Sequence, residues 1–359
     1  MIALSGCSLR QSTSDAVGAH PPQRACVGGG DGQAAAVADK ANAFAALLSD
    51  RQRAALVQEF TLQNAIRWSN LPISIPRLGV KFGDLDATLA AAARDVVAVA
   101  MSSCGLKVFD ELRLADSVAG PKVPQFNLKP ENFFISFLGK PSATTPWMLK
   151  LSGHHLAYNI TFNGRQASAT PLFDGVEPER FTIGDKTYEP LKSQSVALSR
   201  LAHAVSAYPD AKLPGTFNDL VKSVVFTLRV GAPPLGGHDT GFPHTYPTGT
   251  EDRGVRYGAL TKAQQQLVSD AVGSYLELPG RAVATPLRTQ YLDPAALADT
   301  YIGISGSPDL KKAGSYVRID GPRVWIELVV QTGVAFVDEV HFHSVWRDKV
   351  ADYGGEFTR

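Results

Sequence analysis

No apolar run in the chain approaches the roughly 20 residues that a membrane-spanning helix requires, so none is expected to cross a bilayer. Neither sign of charge is in excess. Lys and Arg number 35 against 34 Asp and Glu, and no basic run carries interleaved aromatics. Phosphate binding needs a concentrated positive field, so nucleic acid is not an expected partner. Cysteine is scarce, with 3 in the chain. Cys26 falls in a tether-like stretch and Cys104 reads as the end of a helix, so no structural disulfide is expected. Also missing are a GxSxG elbow, a P-loop, a GxGxxG after a strand and a CxxC pair. Gly303-Ile304-Ser305-Gly306-Ser307 has the wrong spacing for a nucleophile elbow. Serine-nucleophile, nucleotide and dithiol chemistry therefore have no foothold.

What is present suits a folded protein. Hydrophobic residues make up 44% and charged residues 19%, too apolar a mixture for disorder. The 359 residues can bury a substantial core. Leu4-Ser5-Gly6-Cys7 resembles the bacterial lipobox, although no basic segment or apolar h-region stands before it. The Ser-, Gly- and Pro-rich stretch that follows reads as a flexible tether. Residues 1–35 are thus expected to be leader and tether. The protein would be periplasmic or extracellular, touching the membrane only through a lipid at Cys7.

Residues 36–359 are expected to form one compact α+β domain, with helices packed on or beside an antiparallel sheet. The helical part runs over about 36–125 and the sheet-rich part over about 126–359. Capping boxes at Ser49 with Gln52 and at Thr261 with Gln264 announce helix starts. Asp86 can cap an Ala-rich helix from Ala87 to Ser103, with Gly105 suited to the left-handed position after it. Another helix is expected over Ser193 to Ala207. Met148 to Phe162 reads as one long strand closed by an Asn163-Gly164 turn. Tyr316 to Ile319, Arg323 to Gln331 and Val340 to Trp346 read as a three-stranded antiparallel meander. Gly231 to Gly254 is too long for an ordinary connection, and such loops are often functional.

Of 8 histidines, four occur as His154-His155 and as His341-Phe342-His343. On a strand, residues two apart share a face, so His341 and His343 project together and make half of a metal site. One of the adjacent pair completes it. His155 is favoured, because it would share a face with Gly153, whose missing side chain leaves room. Zinc or copper are the expected ions, their identity left open. Glu327 stands in the middle of an otherwise apolar strand, so it should face a metal, a histidine or a cation, and is the candidate general base. His238 and His244 in the long loop, Trp147 and Asp348 are candidate substrate contacts, and Arg347 a candidate catalytic or anchoring cation. The competing reading makes the histidines a polar structural cluster and Arg347-Asp348 a surface ion-pair network.

These segments, Trp147 with Gly153-His154-His155-Leu156, Pro171-Leu172-Phe173 with Gly175 and Glu177-Pro178, Tyr316-Val317-Arg318-Ile319 with Trp325-Ile326-Glu327, and HFHSVWRD with Asp352-Tyr353-Gly354, resemble the bacterial and fungal family catalogued as domain of unknown function 3500. The resemblance runs from about Ala43 onward. It implies one intact domain in which the two histidine motifs and Glu327 belong together, and it supplies no reaction. The expected function is a secreted or lipid-anchored metal-dependent enzyme acting on a small molecule, hydrolytic with zinc. The alternatives are a metal- or ligand-binding lipoprotein without catalysis, a copper or iron oxidoreductase, and a metal-free enzyme using His155 as base.

Overall fold

The computed structural model describes residues 30–72, 77–222, 239 and 242–358. Cys7, Cys26 and His238 lie outside these. The expected α+β class is what forms: one 12-stranded sheet with helices on it. Its main strands are β1 (Phe134–Leu138), β2 (Trp147–Gly153), β3 (Leu156–Asn163), β4 (Leu172–Val176), β5 (Tyr301–Ser305), β6 (Tyr316–Asp320), β7 (Val324–Thr332) and β8 (Val340–Asp348). They lie in the order β1-β2-β3-β4-β8-β7-β6-β5, each antiparallel to its neighbours. Short strands extend both ends, and Val57–Gln58 runs parallel to β1. The pairing of β4 with β8 joins the N-terminal strands to the C-terminal meander.

Alternation gives this sheet two unlike faces. Ile135, Leu149, Leu151, Ile160, Leu172, Ile319, Ile326, Leu328, Phe342 and Trp346 form one face, buried in the main core. The amphipathic helices α1 (Ala34–Leu47), α2 (Ala87–Ala100), α3 (Ser103–Ala119), α4 (Lys192–Val205), α5 (Lys262–Leu276) and α6 (Arg281–Tyr291) contribute their apolar residues to the same core. Burying Leu- or Phe-sized side chains yields about 1.5–3 kcal/mol each, which holds the layers together. The opposite face carries Lys150, Asn159, Arg318, Glu327, His341, His343 and Arg347, all buried. A small apolar cluster of Trp68, Met148, Phe173, Val345 and Tyr353 also lies on it.

The capping boxes at Ser49 and Thr261 form as read, and Asp86 caps α2 through the amide of Leu89. Other local readings are corrected. The Ala-rich helix stops at Ala100, and Ser102 caps a new one by accepting the amide of Gly105. Gly105 is therefore helical; a Cβ there would sit 2.0 Å from the Leu278 carbonyl oxygen, so close packing and not a left-handed cap demands the glycine. Cys104 lies in the first turn of that second helix and is disulfide-bonded, against expectation. Met148 to Phe162 is two strands, β2 and β3, with His154 and His155 as the hairpin loop between Gly153 and Leu156. The meander gains a fourth strand, β5, on its outer side.

Candidate metal centre

The two histidine motifs reach one point by different routes. In the β2–β3 hairpin, His155 adopts φ 58°, the left-handed conformation that lets two residues reverse the chain. Strand alternation no longer governs the pair, so the two rings stack at 3.7 Å between centroids. On β8, His341 and His343 share a face, with centroids 4.3 Å apart. The middle strand β4 brings the motifs together. Its Gly175 pairs with His343 and donates its amide to the His155 carbonyl at 2.8 Å. A Cβ on Gly175 would meet Cδ2 of both His155 and His343 at 2.8 Å, so the absent side chain is the space the two rings use. Gly153 leaves no such room, because Phe133 fills it.

His155 Nε2 and His341 Nε2 share a hydrogen bond at 2.7 Å, so one of them carries the proton that a metal would displace. One ligand atom from each of His155, His341 and His343 can be chosen so that all lie within 4.8 Å of one another, which makes this a group able to hold a metal ion. Both ring nitrogens of His343 and Nδ1 of His341 are buried without a hydrogen-bond partner among the described residues. Each such orphan costs about 1–3 kcal/mol, and a bound cation would satisfy the one His343 nitrogen that carries the lone pair. Burial first, and the neighbouring imidazoles second, hold His155 and His341 well below the usual histidine range; burial and His154 push His343 down to about 3. All three are consequently neutral at physiological pH, the form that ligates metals.

Glu177, in the segment after β4, supports the cluster. Its Oε1 accepts the amides of Val334, Ala335 and Phe336 at 2.5, 2.6 and 2.8 Å, which fixes the carboxylate on the β7–β8 loop. Its Oε2 lies 3.6 Å from His341 Nδ1, within ion-pair reach though long for a hydrogen bond. Proton on Nδ1, facing the carboxylate, leaves the Nε2 lone pair for a metal. The three histidines open onto a cavity of about 300 Å³ whose other walls are mostly apolar: Leu71, Pro72, Val123, Phe126, Leu128, Val334 and Ala335.

The remaining candidates lie elsewhere. His154 belongs to the cavity wall, and its Nδ1 is 2.7 Å from Asp116 Oδ1 on α3. Glu327 is on the histidine face, but pairs across the ladder with Val345 and Arg318; it accepts the Tyr316 hydroxyl at 2.6 Å and the Lys222 amide at 3.0 Å, so its cationic neighbour is Arg318 and not a histidine. Arg347 is gripped by Asp239 and Asp352 in a buried network with His244 and Tyr353. Asp348 accepts from Arg323 and Tyr291. Trp147 packs between Phe137 and Phe162 and donates to the Ser142 carbonyl. Sequence reading missed Glu177, Gly175 and Asp116 as site residues. The first two stood in the sequence next to a strand end; Asp116 gave no local sign, being one acid on an amphipathic helix.

A family described as "Protein of unknown function (DUF3500)" matches residues 31–355. No curated protein and no solved structure matches the chain.

Proposed function

The chain belongs to the DUF3500 family, whose description assigns no activity, and from its histidine centre we propose a metal-dependent enzyme, hydrolytic and exported. His155, His341 and His343 act as three neutral ligands, and Glu177 holds His341 in the ligating tautomer. The observation that carries the reading is that His155, His341 and His343 each offer a ligand atom within 4.8 Å of the others, with the His343 ring unpartnered among the described residues, on the wall of a cavity. Three protein ligands facing a cavity match a catalytic zinc site, which keeps a position for water or substrate, better than a closed structural site with four. A zinc ion held there supplies Lewis acidity and a water that ionises near neutral pH. The chain's own part is to exclude bulk water, seat the substrate against apolar walls and keep the imidazoles unprotonated. Export is supported by the disulfide at Cys104, since such bonds persist in oxidising compartments, and by the lipobox-like Leu4-Ser5-Gly6-Cys7.

Elemental analysis of protein purified without a metal-affinity tag and reconstituted with zinc tests this. About one equivalent is expected in the wild type, and next to none in folded His341→Ala and His343→Ala variants. A wild type that takes up no metal refutes the site. Hydrolysis of ester, amide or phosphoester substrates that survives complete chelation refutes the metal's catalytic part. Copper retained in place of zinc, with substrate oxidation, would move the reaction class to oxidoreductase.

A further inference from the structure

A second cavity of about 310 Å³ adjoins the first, and the two share Pro72, Phe126, Leu128 and His154 as lining. Their chemistry differs sharply. Around the histidines the wall is mostly apolar, whereas the neighbour adds Arg77, Lys81 and Asn132, whose side-chain amide also donates to the Asn127 carbonyl at 2.7 Å. Arg77 and Lys81 share this lining with one buried carboxylate, Asp116, which is already engaged by His154 at 2.7 Å. Arg77 is fixed in place: its Nη2 donates to the carbonyls of Ser69 and Leu71, and its Nε is buried without a partner among the described residues. Lys81 stands at the rim, partly exposed and 3.2 Å from Asp84.

We infer that the substrate is a small amphiphile, with an apolar body in the histidine cavity and a carboxylate in the adjoining pocket at Arg77 and Lys81. The inference deepens the proposed enzymatic reading and rests on it for the place where reaction occurs. Burial of an alkyl or aryl body against the apolar wall contributes about 25 cal/mol per Å². The anionic end adds direction, since a carboxylate finds charge-assisted donors in one cavity and none from the apolar wall of the other. The combined volume lies within the roughly 300–1,000 Å³ typical of small-molecule sites.

The test uses the full chain stripped of metal, so that its outcome does not depend on whether the histidines hold zinc. Calorimetric titration with octanoate and with octanol compares the same body with and without the charge. Octanoate is expected to bind more tightly, and Lys81→Glu, a rim substitution, to weaken octanoate by about fivefold or more while leaving octanol within about twofold. Asn132→Ala gives a milder loss of the same kind, with folding checked by circular dichroism. Equal affinity for the two ligands, an unchanged octanoate affinity in Lys81→Glu, or no octanoate binding by folded protein overturns the inference. The metal reading stands or falls separately by elemental analysis.

Discussion

At the scale of single residues, the molecule buries polar groups in places that only specific partners make tolerable. Glu177 is the clearest instance, its carboxylate held by three successive amides and directed at His341. Glu177→Gln keeps the shape but loses the negative charge that favours a proton on Nδ1. We expect zinc affinity to drop about 10- to 100-fold, measured by competition with a chromogenic chelator, with the fold intact. Lys150 shows the same tension without a metal. Burial lowers it to about 7, while its ammonium donates to the Ala65 carbonyl and to Asn159. Its folded pKa lies below the unfolded value of about 10.4, so the unfolded state binds more protons between those limits and stability rises with pH there. Lys150→Met is therefore expected to gain on the wild type most at pH 7 and below. The advantage should shrink by a few kcal/mol by pH 10 in urea titrations; a difference independent of pH contradicts it.

At the scale of elements, the centre depends on a hairpin loop, a strand gap and a strand face coinciding. The loop demands a left-handed residue at position 155, which Asn tolerates and β-branched residues do not. His155→Asn should abolish metal uptake with little change in stability, whereas His155→Val should lose metal and about 1–2 kcal/mol as well. Gly175→Ala probes the gap. With a Cβ only 2.8 Å from both imidazoles, rings or strand must shift, at about 1–3 kcal/mol, and metal affinity should fall even though no ligand is altered. Normal affinity in that variant would mean the rings are not seated as described.

At the scale of the whole molecule, the polar face of the sheet is closed by a buried ion network. Arg347 ties Asp239 and Asp352, and Tyr353 and Trp68 extend the chain of hydrogen bonds. Burial alone would raise Asp239, yet Arg347, His244 and Tyr353 together draw it down to about 2; for Asp352 burial wins and the group sits at about 6. Arg347→Leu leaves two buried carboxylates without their cation, expected to cost about 3–5 kcal/mol at neutral pH. Their folded pKa values then rise above the unfolded ones, so the variant binds extra protons when folded and its deficit narrows as pH falls toward 4. Denaturant midpoints across that range check the sign. A uniform deficit would assign Arg347 to packing alone.

Much of this was legible along the chain. Capping chemistry at Ser49, Asp86 and Thr261 located helices, because a cap is satisfied within a few residues of itself. Period-two alternation put His341 and His343 on one face with Phe342 on the other, because the pleat obeys only local geometry. Pairing of distant motifs was legible only as clustering of a scarce residue type. The tertiary structure decided the rest. Inserting β4 between β3 and β8 set the register that seats His155 against His343 and brought Glu177 to His341, while the β2–β3 hairpin made the HH pair a loop, the β6–β7 ladder placed Arg318 opposite Glu327, and the packing of α3 brought Asp116 to His154. Such contacts depend on which strands become neighbours, and that is settled by burying one apolar face beneath the helices, a property of the whole chain that no short segment encodes.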